Sequence, residues 1–265
     1  MNDSKIDDLK KLCDKLKIET ETGVIAEWVL RNSMDEKAQE IVASFLSLHA
    51  EYKHALLVER LIKGSRLPQK DLKTFENYSL RQLPETAIEK IRCLATLSFI
   101  EAKKNVIFIG PSGTGKTHLA QAIGNKCVRS GRPAYFITAS ELKGKMHKAI
   151  VTGSVATFMN IMTRYTCLII DEVGQTEKFD RAETHLFFSM VDRIYSRTKN
   201  VIIITSNVEG SEWADCFDDD QAVECTLDRL FDKAIAVQLS GTSYRGQERE
   251  NVYLELDSPI QIDLD

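Results

Sequence analysis

The sequence predicts an α/β fold in which a five-stranded parallel sheet is flanked by helices and preceded by a small all-helical domain. Three observations predict it. From about residue 76, short apolar runs alternate with amphipathic segments. The runs are apolar at consecutive positions, so both sheet faces need cover, as in parallel sheets with crossover helices. A glycine-rich loop, Gly110 to Thr117, sits between one such run and the next helical segment. Residues 1–66, by contrast, show helical spacing throughout: Ile6, Leu9, Leu12, Cys13 and Leu16, then Ile25, Trp28 and Val29, then Ile41, Phe45 and Leu48.

Taken in order, Asn2, Asp3 or Ser4 caps a first helix, and Asn32-Ser33 marks a break. Glu40 to Lys63 reads as one long helix, stopped by Gly64. Residues 67–75 read as a linker between a helical domain, 1–66, and the α/β domain, 76–252. Within the latter, Glu85 to Glu101 is a helix and Val106 to Ile109 the first strand. Leu119 to Ser130 is a helix, Pro133 to Ile137 the second strand, and Ser140 caps a helix starting at Glu141. Cys167 to Ile170 is the third strand, Ala182 to Ser196 a helix, and Val201 to Thr205 the fourth strand. Cys225 to Asp232 is helical and Ala234 to Leu239 the last strand, with 253–265 a loose acidic tail.

Composition limits the function classes. The chain is 43% hydrophobic and 28% charged, with a net charge of -4, so contact with nucleic acid would need a local basic patch. No apolar run approaches the roughly 18 residues of a membrane span. The charged N-terminus lacks a signal peptide's apolar core, and a cytoplasmic protein is expected. The 6 cysteines are scattered without a C-x-x-C pair, which reads as reduced and mostly buried thiols.

The loop Gly110-Pro111-Ser112-Gly113-Thr114-Gly115-Lys116-Thr117 fits G-x-x-x-x-G-K-[ST], with His118 next in the helix. Its glycines permit conformations and phosphate approach that a side chain would block. Lys116 suits the β- and γ-phosphates of ATP, and the Thr117 hydroxyl suits Mg²⁺. The helix N-terminus adds partial positive charge. The competing reading is a glycine-rich turn that binds nothing, against which the strand-before, helix-after context argues.

A second motif separates hydrolysis from phosphoryl transfer to a small molecule. Leu168-Ile-Ile-Asp171-Glu172 is an apolar strand ending in two carboxylates, a Walker B pattern. Asp171 would complete the Mg²⁺ shell, and Glu172 would orient and deprotonate a water. After the fourth strand, Asn207 is preferred over Thr205 and Ser206 as the polar group reaching the γ-phosphate or the lytic water. Arg229, in Leu227-Asp-Arg-Leu-Phe231, reads either as a surface pair with Asp228 or as a finger serving a neighbour's nucleotide.

With these elements in this order, residues 64–249 resemble the DnaC/IstB branch of AAA+ ATPases, and most nearly IstB-type transposition helpers. The supporting strings are LATLSFIEAKKNVIFIGPSGTGKTHLAQAIG, LIIDEVG, VIIITSNVEGSEWADCF, LDRLF and GTSYR. The resemblance implies head-to-tail oligomers with nucleotide at subunit interfaces, and Arg245 in contact with nucleotide or neighbour. It also implies duplex DNA binding and recruitment or activation of a transposase. Val173-Gly-Gln175 departs from the Leu-Gly-Tyr expected in many IstB proteins. A replicative-helicase loader is the alternative partner reading, and an ATP-gated binding switch with little turnover the alternative class.

Three basic groupings could meet DNA: Lys53, His54, Arg60, Lys63 and Arg66; Lys143, Lys145, His147 and Lys148; and Arg193, Arg197 and Lys199. Each is equally readable as a solvated helix face. Lys143, Lys145 and Lys148 are preferred because only Glu141 is an acidic neighbour in sequence. No aromatic residue interleaves with them, which favours duplex over single strands.

Overall fold

The computed structural model describes residues 11, 31, 32, 35–80, 83–175, 177–197, 200–208, 210–218, 227, 229–232 and 234–240. By internal contacts the chain divides into two units, 1–60 and 61–265. Most of the expected first helices, and Arg245, lie outside the described residues.

The first long helix, α1, runs Glu36–Ser65, continuous where Glu40 to Lys63 is expected. Its start is bonded by the Asp35 carboxylate, which accepts from the Ala38 N–H at 2.8 Å. Ile41, Phe45, Leu48 and Tyr52 stand exposed along it.

Unit 61–265 contains a five-stranded parallel sheet in the order β2-β3-β4-β1-β5. The strands are β1 (Val106–Ile109), β2 (Ala134–Thr138), β3 (Cys167–Val173), β4 (Val201–Ser206) and β5 (Ile235–Gln238). The helices are α2 (Glu85–Ala95), α3 (Ser98–Glu101), α4 (Lys116–Arg129), α5 (Ala139–Val151), α6 (Val155–Met162) and α7 (Arg181–Tyr195). A 3₁₀ turn, Gly210–Cys216, follows β4.

Alternate strand residues feed two cores. Ile107, Ile137, Leu168, Ile170, Ile202 and Ile204 pack with α5, α6 and α7. Val106, Phe108, Cys167, Ile169, Ile203 and Val237 pack with α2 and α4. The consecutive apolar runs follow from this two-sided burial. Gly124 of α4 permits the close approach: a Cβ there would lie 2.6 Å from Ile169 Cδ1. Among the described residues no helix is long and apolar enough to cross a membrane.

Several expectations change. The helix expected over Glu85 to Glu101 is broken at Leu97, which takes a left-handed φ of 61°. The helix after β2 starts at Ala139, and its cap is Thr138 rather than Ser140. Thr138 accepts from the Glu141 N–H while the Glu141 carboxylate accepts from the Thr138 N–H, a capping box. Helix α6 was not expected at all. Cys127 and Cys167 are buried, but Cys93 is exposed.

Residues 67–75, expected as a linker, and Tyr78 just beyond them lie along α4 and its loop. Leu67 is buried in the core. The Asn125 amide donates to the Lys73 carbonyl at 2.8 Å, and the Tyr78 hydroxyl donates to the Thr114 carbonyl at 3.1 Å. This segment forms a strap against the glycine-rich loop.

Candidate functional site

The phosphate-loop candidate begins where β1 ends, at the carboxyl edge of a parallel sheet beside the strand-order reversal. Gly110, Gly113 and Gly115 all have positive φ. Two of them are also hemmed in: a Cβ on Gly110 would lie 2.1 Å from the Leu239 carbonyl oxygen, and one on Gly115 2.5 Å from the Tyr78 ring. Glycine is therefore required by space as well as by conformation.

The loop curls over a cavity of about 350 Å³ lined by Lys73, Ser112, Gly113, Gly115, Lys116, Thr117, His118, Gln121, Glu172, Gln175, Thr205 and Asn207. Lys116 is buried, and its ammonium donates to the Gly110 and Pro111 carbonyls, each at 2.7 Å. The Thr117 hydroxyl reaches both Asp171 carboxylate oxygens, at 2.9 and 3.1 Å. Hydroxyl and carboxylate oxygens are the hard donors that suit Mg²⁺. These two residues, from α4 and β3, would hold such an ion.

His118 sits at the base of the strap. Its Nε2 contacts the Thr74 carbonyl at 2.9 Å, so Nε2 carries the proton in the neutral ring. Its ring packs 5.2 Å from that of Tyr78. Burial pulls the imidazole pKa below its ordinary value, and the Thr74 carbonyl offsets this in part.

Glu172 adopts φ 62°, unusual for a residue with a side chain. Its side chain is exposed and lines the cavity. Asn207, also exposed, lines the same cavity from the end of β4.

Residues 12–252 match the family described as IstB-like ATP binding protein. This chain belongs to that family. The IstB-like chain is 38% identical over 207 residues to an insertion sequence IS5376 putative ATP-binding protein from Geobacillus stearothermophilus, covering 77% of this chain and 80% of the relative. It is 33% identical over 213 residues to an insertion sequence IS21 putative ATP-binding protein from Pseudomonas aeruginosa, covering 80% and 78%. The crystal structure of the DnaC helicase loader superposes with a TM-score of 0.52 at 20% identity, covering 63% of this chain and 97% of that one. At that identity the likeness shows the fold alone, the AAA+ phosphate-loop fold. The IstB-like chain is thus an ATP-binding protein of that fold.

The remaining expected residues fall in different places. Arg229 is exposed on the helical turn before β5, and its guanidinium bonds Asp192 of α7 at 2.5 Å. Asp192 is thus an ion-pair partner of Arg229, and the sequence neighbour Asp228 lies outside the described residues. Lys145 and Lys148 are exposed on α5, but Lys143 lies 3.5 Å from Glu177. His147 lies 3.3 Å from Glu183, whose capping box with Asp180 starts α7. Lys143, His147, Glu177, Asp180 and Glu183 line one groove of about 750 Å³. The expectation of a helix with only Glu141 as acidic neighbour is corrected: tertiary packing brings up three further carboxylates.

Sequence reasoning passed over Thr205. Its hydroxyl donates to Asp171 Oδ1 at 2.5 Å and accepts from the Glu172 N–H at 2.9 Å. The strand-end position was legible; the partner across the sheet was not. Ser206, the other residue set aside, is buried and donates to the Val173 and Val208 carbonyls.

Proposed function

We propose that this chain is a Mg²⁺-dependent ATPase that assembles head to tail on duplex DNA and recruits or activates a transposase. The observation that carries the hydrolytic reading is Glu172, a carboxylate that lines the same cavity as Lys116 and Thr117. A site built only to hold nucleotide has no need of it.

In this reading the backbone N–H groups of Ser112 to Thr117 cradle the phosphates at the start of α4. Lys116 exchanges its bonds to the Gly110 and Pro111 carbonyls for phosphate oxygens. Bound Mg²⁺ supplies charge neutralisation of the phosphates. Thr117 and Asp171 hold the metal position, and Asn207 steadies the water or the γ-phosphate. Glu172 takes the water's proton. Arg229, once released from Asp192, serves the neighbouring subunit's site, where positive charge opposes that developing on the transferred group.

The DNA and transposase parts rest on the relatives, which are named as insertion-sequence ATP-binding proteins. Lys145 and Lys148 offer exposed cations for phosphate contacts of low sequence specificity. Turnover measured with and without duplex DNA, together with electron microscopy of the ATP-bound protein on duplex, tests the reading. A DNA-bearing oligomer with DNA-dependent turnover is expected. Capture of a replicative helicase instead of the transposase would point to a loader. ATP binding without turnover under any condition would leave a nucleotide-gated switch.

A further inference from the structure

Strands β3 and β4 pair in register from Cys167↔Val201 to Ile170↔Ile204, and resume at Val173↔Ser206. Between those points β3 has two residues, Asp171 and Glu172, where β4 has only Thr205. This is a β-bulge, the device that re-aims side chains beside functional sites. The bulge has a cost: Glu172 sits at φ 62°, and such strain persists only where the surroundings over-determine it. The ladder cannot satisfy the Glu172 N–H in the ordinary way.

One hydroxyl resolves both problems. Thr205 Oγ1 accepts from the Glu172 N–H at 2.9 Å and gives its own proton to Asp171 Oδ1 at 2.5 Å. Thr117 donates to the same carboxylate, at 2.9 and 3.1 Å. Thr205 is itself buried. It thus ties the orientation of the metal-facing carboxylate to the backbone twist that turns Glu172 into the cavity.

We propose that Thr205 is a positioning residue: its hydroxyl clamps the bulge so that Asp171 faces the metal position while Glu172 faces the attacking water. The turnover arm of its test rests on the hydrolytic reading above; the metal arm does not. Thr205→Val keeps the shape and removes the hydroxyl, leaving the Glu172 N–H without this partner and Asp171 short of a donor. Thr205→Ser keeps the hydroxyl.

Three measurements on the wild type and both variants decide it: binding of a fluorescent ATP analogue without metal, Mn²⁺ titration beside a non-hydrolysable ATP analogue, and steady-state turnover, each with a thermal melt. Metal-free binding should agree within about twofold across all three proteins, since the phosphate loop is untouched. Mn²⁺ affinity should fall roughly 10-fold and kcat roughly 100-fold in T205V, with KM little changed, as expected for a residue that orients a metal ligand. T205S should recover most of both. A well-folded T205V with wild-type Mn²⁺ affinity would overturn the proposal, as would a T205S as impaired as T205V. Should T205V fail to fold, Thr205→Ala, with room for a water, takes its place. If that also unfolds, the hydroxyl is only a structural bond and the proposal falls. Mn²⁺ binding that depends on Thr205 in a protein without turnover would sink the hydrolytic reading while sustaining the clamp.

Discussion

The Tyr78 hydroxyl donates to the Thr114 carbonyl at 3.1 Å, fastening the strap to the middle of the phosphate loop. The same ring fills the space beside Gly115. The phenol thus contributes a polar bond and a packing surface, which two substitutions separate. Tyr78→Phe should cost about 1 kcal/mol of stability, the worth of one hydrogen bond. Tyr78→Ala removes a buried aromatic and should cost about 3 kcal/mol or more. It should also weaken ATP binding by loosening the loop. Denaturant melts with and without ATP check both; equal losses from the two variants would mean that the ring adds nothing.

Gly110→Ala tests the space around the loop. Its Cβ would fall 2.1 Å from the Leu239 carbonyl oxygen, and that neighbour is backbone, which cannot swing aside. We expect loss of ATP binding together with a melting point lowered by several degrees, by thermal shift. Gly144→Ala, with nothing within 4 Å of the added atom, is the matched control and should be neutral or slightly stabilising.

The buried imidazole of His118 gives a pH dependence. Its depressed pKa means that the folded state holds the proton less well than the unfolded chain. Its stabilising share is therefore present above the ordinary imidazole pKa of about 6.5 and is lost as pH falls from there toward the lower folded value. Melting temperature measured from pH 8 to pH 5 should drop more in the wild type than in His118→Gln. Parallel curves would contradict this.

Arg229 and Asp192 make opposite predictions for two members of one pair. In the assembled state Arg229→Ala should lower turnover about 1,000-fold while leaving nucleotide binding intact. Asp192→Asn removes this ion pair and should keep at least wild-type turnover. Single-turnover assays over a range of protein concentration distinguish them. If the two variants behaved alike, the pair would be a structural tie and not a reserve.

For DNA, replacing both Lys145 and Lys148 with Ala should weaken duplex binding and reduce the slope of log affinity against log salt by about 2. Lys143→Ala, with its cation 3.5 Å from Glu177, should change that slope less. Fluorescence anisotropy across a salt series reads both.

The parts of this molecule legible in its sequence are those set by neighbours along the chain. Strand β1, the loop and α4 follow one another without a break, and β3 carries its two carboxylates near its end, so many of the residues lining the cavity could be named. The T-x-x-E box at Thr138 was equally local; Ser140 drew attention because the helix start was placed two residues late. What could not be read depends on residues far apart meeting. The kink at Leu97 has no glycine or proline to announce it. Glu177, Asp180 and Glu183 reach Lys143 and His147 only through the packing of α5 against α7. The role of Thr205 depends on a register slip between two strands, and no single strand records that.

The sheet order carries a further consequence, one of time. Strand β1 delivers the phosphate loop, yet its hydrogen-bonding neighbours are β4 and β5, roughly a hundred residues or more further along the chain, so the contacts are of long sequence range and form late. The nucleotide site is therefore begun earlier in synthesis and completed only when β5 arrives. Until Leu239 closes over Gly110, the loop has its sequence but lacks its walls. ATP meets this protein as a reader of finished folding.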